Sequence, residues 1–182
     1  ENPKPSYGGL DTMYGDKCEK WIKFANSLKM RLLNRISNAD PSAWGKIQEM
    51  VNNPADYPVF ESIEDQAVIP YSGVDPYQSY FSTGNITPDN FKNYKLSEEV
   101  VNMMYDPEKK YADPRLSIFG LKSGKADWKG TVPGSADSDL PVVDKDATHL
   151  NTNTLNRNNA PSRLLEYSEI LFIYAEGVQK GK

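Results

Sequence analysis

Apolar residues recur every three or four positions between residues 18 and 36, a pattern that predicts one amphipathic helix. Asp16 with Glu19 three residues later is typical of a capping box, which sets the start of that helix. The apolar stripe comprises Cys18, Ile22, Ala25, Leu28, Leu32 and Ile36, widened by Trp21 and Leu33. The polar residues fall mostly on the opposite side: Lys17, Lys20, Lys23, Asn26, Ser27, Asn34 and Arg35. We therefore expect the apolar stripe to be buried on another element.

Three further helices are predicted, which together give a mainly α fold in one domain over residues 1–182. Counting the first, the predicted helices cover about 16–37, 41–52, 97–105 and 161–179. The last is apolar on most sides, which is typical of a helix buried between neighbours. We expect a longer chain to supply another helix against it. Residues 56–95 and 106–160 lack periodicity and predict irregular structure, with Val68 and Ile69 as a short strand.

Composition favours a folded protein that does not bind nucleic acid. Of 182 residues 38% are hydrophobic, and the aromatic residues (3 Trp, 11 Tyr and 6 Phe) argue against a disordered chain. The net charge of −4 and the lack of a basic cluster in the sequence disfavour a nucleic-acid partner. A single cysteine allows no internal disulfide, and Cys18 is expected to pack in the core.

Four segments resemble the SusD/RagB-like family of outer-membrane lipoproteins. Residues 21–32 read Trp-Ile-Lys-Phe-Ala-Asn-Ser-Leu-Lys-Met-Arg-Leu and resemble the signature helix of that family. Residues 61–71, the Asp-Pro-Arg-Leu turn at 113–116 and the helix 167–177 follow in the family's order. Ser168 and Gly177 depart from the pattern, because the family usually has Ala at both positions.

The resemblance implies tetratricopeptide-like helix pairs that carry a large irregular ligand-binding region, with few short strands. It also implies a non-catalytic cell-surface protein for starch or polysaccharide utilisation. Such a protein binds an oligosaccharide or another nutrient and delivers it to a TonB-dependent SusC-like transporter. It would be peripheral to the outer membrane through a lipid anchor outside this chain, which resembles an internal fragment. Cys18 does not fit a lipidation site, since no hydrophobic run precedes it.

The sequence contains little that suggests catalysis, and we predict no enzyme activity, metal or cofactor. The only histidine, His149, lies in a polar stretch, and no Cys/His cluster or phosphate-binding loop is present in the sequence. Two acidic groups offer alternatives, a glycoside-hydrolase pair or a calcium site, although solvated surface is the ordinary role of such residues. These groups are Glu61, Glu64 and Asp65, and Asp137, Asp139, Asp144 and Asp146.

Aromatic residues in the irregular regions are the better candidates for a binding site. Sugar rings present apolar C–H faces that stack on aromatic rings, while their hydroxyl groups need polar side chains nearby. The candidate ligand-binding residues are Tyr71, Tyr77, Gln78, Tyr80, Phe81 and Trp128. The alternative is that these rings anchor the irregular regions to the helices. Peptide capture by the same fold, or a helical protein-interaction module without a small ligand, are the other functions left open.

Overall fold

The chain forms two compact units in a computed structural model that describes residues 8–124, 127–134 and 146–181. One unit comprises Glu1–Pro70 with Pro161–Lys182, and the other comprises Tyr71–Ala160. Helices predominate over a few short strands in the described residues, which confirms the mainly α fold class.

The first unit contains three long helices and one small antiparallel sheet. Its elements are α1 (Cys18–Ile36), α2 (Ala43–Asn52), a 3-10 helix (Ile63–Asp65), β1 (Ala67–Ile69), β6 (Ser162–Leu165) and α6 (Tyr167–Gln179). Helix α1 packs against both α2 and α6. Strand β1 confirms the short strand predicted at Val68 and Ile69.

The second unit contains short helices and two-residue strands joined by loops. Its elements are α3 (Pro88–Phe91), α4 (Glu98–Met104), β2 (Tyr105–Asp106), β3 (Tyr111–Ala112), α5 (Leu116–Phe119), β4 (Gly120–Leu121) and β5 (His149–Leu150). Strands β2 and β3 form one antiparallel pair, and β4 and β5 form another. The helix predicted at 97–105 is confirmed as α4, which Ser97 caps by accepting a hydrogen bond from the Val100 N–H.

The prediction of a helix from residue 161 is wrong for its first turn. Residues 162–165 form β6, which pairs with β1 so that Ile69 lies opposite Ser162 and Ala67 opposite Leu165. Glu166 is also extended, and α6 therefore begins only at Tyr167. Residues 162–165 form a strand because they pair with β1, which is distant in sequence. The intrinsic helix or strand propensity of a segment does not reveal such pairing.

The buried side of α1 is the opposite of the one predicted. Met30 and Ser27 are completely buried, whereas Ile22 and Leu32 are 52% and 54% exposed. The apolar stripe thus faces outward over most of its length, with Cys18 only half-buried. Leu33, at the margin of the stripe, is buried in the core, and Leu28 packs against the core while partly exposed.

Polar side chains of α1 are directed inward because they hydrogen-bond an irregular segment. Asn26 Nδ2 donates to the Pro58 carbonyl at 3.0 Å, and Ser27 Oγ accepts from the Phe60 N–H at 2.9 Å. Lys23 Nζ contacts Asp65 Oδ2 at 2.9 Å. Buried backbone groups outside helices and strands need such partners. The polar face of α1 therefore supplies hydrogen-bond partners to the segment 58–65.

A second set of polar contacts ties α1 to α6. Arg31 pairs with Glu169 through two bonds, Nε to Oε2 at 2.8 Å and Nη2 to Oε1 at 2.5 Å. Arg31 Nη2 also donates to the Leu164 carbonyl at 3.0 Å, and Asn34 Nδ2 to Glu176 Oε2 at 3.0 Å. A bidentate guanidinium–carboxylate pair fixes both distance and orientation. It sets the position of α6 and of the end of β6 on α1.

The hydrophobic core of the first unit lies beneath these polar contacts. Its buried members include Met30, Leu33, Trp44, Ile47, Met50, Phe60, Leu165, Ile170 and Ile173. Gly177 of α6 passes over Trp44, and an added Cβ would lie 3.0 Å from Cζ3 of that ring. An alanine at this position would require the Trp44 ring to shift by a few tenths of an ångström.

Asp16 does not cap α1, so the predicted capping box is wrong. Lys17 occupies the N-cap without a side-chain cap, and Asp16 adopts a positive φ of 64°. Asp11 organises this turn instead. Its carboxylate accepts from the Trp21 indole N–H at 2.8 Å and from the N–H groups of Tyr14 and Asp16. These hydrogen bonds, that of Trp21 foremost, lower the pKa of Asp11.

We expect Met30→Ala to lower the free energy of unfolding by about 2–5 kcal/mol, because it leaves a cavity in the core. Met103→Ala is the matched control, since Met103 is 79% exposed, and should cost less than about 0.5 kcal/mol. Urea denaturation measures both. Equal values for the two variants would contradict the orientation of α1.

Asp65 should make the stability of the protein sensitive to acid. Burial raises its pKa, but hydrogen bonds from Lys23 and the Glu61 N–H, with the nearby lysine charges, bring the net pKa below its ordinary value of 3.8. A lowered native pKa stabilises the fold at neutral pH, and this contribution is lost as the pH falls below about 4.

We expect Asp65→Asn to cost about 1–3 kcal/mol at pH 7 and to reduce the loss of stability between pH 5 and pH 2. Asp56→Asn, at an exposed aspartate of the same unit, is the control. Urea denaturation at several pH values measures the effect. If the free energy of unfolding of Asp65→Asn fell with pH in parallel with that of the wild type, Asp65 would not be the source of the acid sensitivity.

Candidate functional site

Four aromatic rings form a continuous series on the second unit. Tyr80 and Phe81 lie edge to face at 5.2 Å between centroids, and Phe81 meets Phe91 at 5.9 Å in the same way. Phe91 contacts Tyr94 at 5.6 Å with a tilt of 50°. We call these four residues the aromatic ladder. Phe91 is buried, whereas Tyr80 is 68% exposed and Tyr94 is 44% exposed, so the ladder presents ring surface to solvent from a fixed base.

Helix α3 positions half of the ladder. Thr87 caps α3 by accepting from the Asn90 N–H, and Pro88 follows it at the first helical position. Thr-Pro is a helix start signal, since proline fits the first turn. This turn buries Phe91 and places Tyr94 on the same side. The sequence analysis missed both residues, although the Thr87-Pro88 start and the three-residue spacing of the two rings could have revealed them.

Side-chain amides hold the other half of the ladder in place. Asn156 is buried, and its Nδ2 donates to the carbonyls of Phe81 at 2.8 Å and Ile86 at 3.0 Å. Asn158 accepts from both the N–H and the hydroxyl of Thr83. These bonds join the loop 79–86 to residues 156–158. The exposed rings of Tyr80 and Phe81 therefore stand on a loop that is held by side-chain hydrogen bonds from Asn156 and Asn158.

The remaining predicted residues of this region, Tyr71, Tyr77 and Gln78, precede the ladder in the same unit. Tyr77 is 71% exposed at the end of a tight turn in which its N–H donates to the Val74 carbonyl at 2.8 Å. Gln78 is half-buried, with Oε1 against Gly84. Tyr71 is also half-buried. Thus the structure brings Tyr80 and Phe81 into direct ring contact, and it places Tyr77 on the turn that precedes them.

Trp128 belongs to a different cluster. Its ring packs against the buried residues Leu96, Val101 and Leu116, and Lys122 Nζ lies 5.2 Å from the ring centroid. Gly130 allows this placement, since an added Cβ would lie only 2.3 Å from Glu98 Cα at the start of α4. One side of Trp128 therefore anchors its loop, as the alternative interpretation predicts.

Asp127 concentrates charge beside Trp128. Its carboxylate accepts hydrogen bonds from the Tyr105 hydroxyl, from Lys122 Nζ at 3.0 Å and from the Trp128 N–H at 2.9 Å. The Tyr105 and Lys122 bonds hold the pKa of Asp127 down to about 2, and the same contact raises the pKa of Tyr105. Asp127 is therefore ionised at neutral pH, and its carboxylate can accept, but not donate, further hydrogen bonds.

The acidic alternatives gain no support from their geometry. Glycoside hydrolysis needs one carboxyl group with a raised pKa, whereas the pKa values of Asp65 and Glu64 are both lowered, for Glu64 chiefly by Ser62. Asp65 is also engaged by Lys23 and the Glu61 N–H. Within residues 8–124, 127–134 and 146–181, no three His, Cys, Asp or Glu residues are grouped to hold a metal. Asp137, Asp139 and Asp144 lie outside the described residues.

None of the helices within the described ranges combines the length and apolar character needed to cross a membrane.

Comparison with protein families gives one match over nearly the whole chain. The model of a SusD-like family, described as starch-binding and associating with the outer membrane, matches residues 2–182. Comparison with curated protein sequences gives no match.

Several solved structures share the fold. A chitin-binding protein superposes with a TM-score of 0.70 at 21% identity, over 94% of this chain and 38% of its own. A SusD homologue from Bacteroides fragilis superposes with a TM-score of 0.72 at 19% sequence identity, over 94% of this chain and 38% of its own. A SusD homologue from Parabacteroides distasonis superposes with a TM-score of 0.68 at 20% sequence identity, over 95% of this chain and 39% of its own. The chain thus spans less than half the length of these solved relatives.

We expect Trp128→Ala to lower the free energy of unfolding by about 1–3 kcal/mol, because its ring packs on a buried cluster. Tyr77→Ala, at an aromatic residue that is 71% exposed, should cost less than about 0.5 kcal/mol. Thermal and urea denaturation compare the two. A Trp128→Ala variant as stable as the wild type would leave ligand contact as the role of this residue.

Proposed function

This chain belongs to the SusD-like family, and we propose on that basis that the complete protein binds an oligosaccharide at the cell surface without cleaving it. The family description, starch-binding and associating with the outer membrane, supports both the ligand class and the location. We propose further that the ligand passes to a TonB-dependent SusC-like transporter, with a lipid anchor outside residues 1–182 holding the protein on the outer membrane.

The aromatic ladder is the observation that carries the proposal. A pyranose ring stacks on an exposed aromatic face through its C–H groups, and such a contact needs a ring that does not rotate away on binding. Tyr80 and Tyr94 provide exposed surface, while Phe91, which contacts Phe81 and Tyr94, is buried. The ladder is therefore a preorganised apolar platform.

Polar groups around the ladder suit the hydroxyl groups of a sugar. The amide of Gln78 lies half-buried at Gly84, and Asp89 projects from α3 with its side chain 90% exposed, paired to Lys92 at 2.9 Å. Tyr77 adds a third exposed phenol, on the adjacent turn. Tyr71 and Trp128 are secondary candidates in this proposal, because each is half-buried and offers less ring surface.

We expect Tyr80→Ala to weaken oligosaccharide binding by about three- to tenfold, the value of one aromatic stacking contact. Tyr77→Ala should have a smaller effect in the same direction. Tyr111→Ala is the matched control, since Tyr111 is a 62% exposed tyrosine on β3 outside the ladder, and should bind like the wild type. Calorimetry or affinity electrophoresis against starch- and chitin-derived oligosaccharides measures binding.

Two results would contradict the proposal. Binding of peptides but of no glycan in the same panel would favour peptide capture by this fold. Release of shorter oligosaccharides, detected by chromatography after incubation, would show catalysis.

A further inference from the structure

A single side-chain amide joins the two halves of the aromatic ladder. Asn156 Nδ2 donates one hydrogen bond to the Phe81 carbonyl at 2.8 Å and another to the Ile86 carbonyl at 3.0 Å. Phe81 belongs to the first half of the ladder, and Ile86 directly precedes Thr87, the cap of the helix α3 that positions the second half. An asparagine amide has two N–H donors, so Asn156 commits one donor to each half.

Asn156 acts on the backbone of the ladder and not on a ligand. The residue is only 4% exposed, so its amide is out of reach of a sugar that stacks on the exposed rings. Its Oδ1 accepts no hydrogen bond from the residues that the structure describes, so the polar contacts of this side chain come from its donor end. Any effect of Asn156 on binding must therefore pass through the residues that it holds.

The two carbonyl groups that Asn156 binds flank a turn. Within this turn the N–H groups of Asn85 and Ile86 donate to the Ser82 carbonyl, at 3.1 Å and 2.9 Å. The carbonyls of Phe81 and Ile86 take no part in those bonds and accept from the Asn156 amide instead. Because both carbonyl oxygens lie within hydrogen-bond distance of one nitrogen atom, the amide fixes the separation between the start and the end of the turn.

The segment that carries Asn156 is anchored on both sides of it. On one side Asn151 is buried, and its Nδ2 donates to the Ser117 carbonyl at 2.8 Å. On the other side the Asn158 carbonyl accepts from the Ser79 N–H, also at 2.8 Å. The Asn156 amide therefore holds the turn against a fixed segment of the second unit.

Spacing matters because the two exposed tyrosines of the ladder belong to different halves. Tyr80 contacts Phe81 in the first half, and Tyr94 contacts Phe91 in the second. A sugar chain stacked on one ring reaches the other without a second association step, provided that the distance between the rings suits it. If the halves moved independently, the cost of ordering them would offset that gain.

We infer that Asn156 sets the spacing of Tyr80 and Tyr94 and thereby makes the ladder selective for an oligosaccharide long enough to stack on both rings. The inference rests on the proposed function, because it takes the ladder as a sugar-binding surface. It adds chain length as the property that the site selects. Asn156 is a positioning residue in this account, since its amide acts through the backbone of Phe81 and Ile86.

The test compares short and long oligosaccharides on the complete protein by calorimetry. The probes are maltose and maltoheptaose, with chitobiose and chitohexaose as a second pair. For at least one pair we expect the wild type to bind the long probe at least about threefold more tightly than the short one, the value of one further aromatic contact. Tyr94→Ala removes the second ring and defines the preference that remains without it.

Asn156→Ala should lower the chain-length preference to that of Tyr94→Ala, because both rings remain and only their spacing is lost. Its affinity for the short probe should stay within about twofold of the wild type, since one ring suffices for that contact. Asn156→Ser is a milder variant whose single hydroxyl donor can bond one carbonyl, and it decides the question if Asn156→Ala does not fold. Near-UV circular dichroism at the assay temperature checks the folding of each variant.

Asn153→Ala is the matched control, since Asn153 is an exposed asparagine of the same segment, and should keep the wild-type preference. Three outcomes would overturn the inference and leave the proposed function standing. These are a wild type that binds both probe lengths equally, a folded Asn156 variant that keeps the wild-type preference, and a folded Asn156 variant that loses affinity for both lengths equally. A wild type that binds no oligosaccharide of either length would instead contradict the proposed function itself.

Discussion

The constraint on which the first unit depends is the need of the segment 58–65 for hydrogen-bond partners. This segment has little regular structure, and its buried backbone groups cannot pair with one another as they would in a sheet. Helix α1 supplies the partners through Asn26 and Ser27, while Lys23 binds Asp65. A helix that uses its polar side internally must present its other side outward. The inverted orientation of α1 follows from this requirement.

The same helix then positions the rest of the unit. The bidentate Arg31–Glu169 pair and the Arg31 bond to the Leu164 carbonyl place α6 and β6 together, and β6 in turn pairs with β1. The polar contacts select the geometry, and the burial of Met30 and its apolar neighbours supplies most of the stabilising free energy. Polar and apolar parts of α1 therefore have distinct roles.

The aromatic ladder shows how a region with little secondary structure can hold a rigid surface. Buried Phe91 contacts Tyr94, and the amide of Asn156 holds the backbone at Phe81. In the proposed function, an oligosaccharide that stacks on Tyr80 and Tyr94 would avoid part of the entropic cost of immobilising side chains. Trp128 illustrates the other use of a loop aromatic residue, because packing on Leu96, Val101 and Leu116 anchors the loop.

The sequence alone determined the features that depend on neighbours in the chain. Its periodicity located α1 and α4 to within about two residues, its motifs identified the family, and its aromatic clusters indicated Tyr80 and Phe81. Only the tertiary structure decided which side of α1 is buried, that residues 162–165 pair as a strand, and that Phe91 and Tyr94 complete the ladder. The physical reason is that helical spacing specifies which residues share a face, whereas the partner of that face comes from residues far away in sequence.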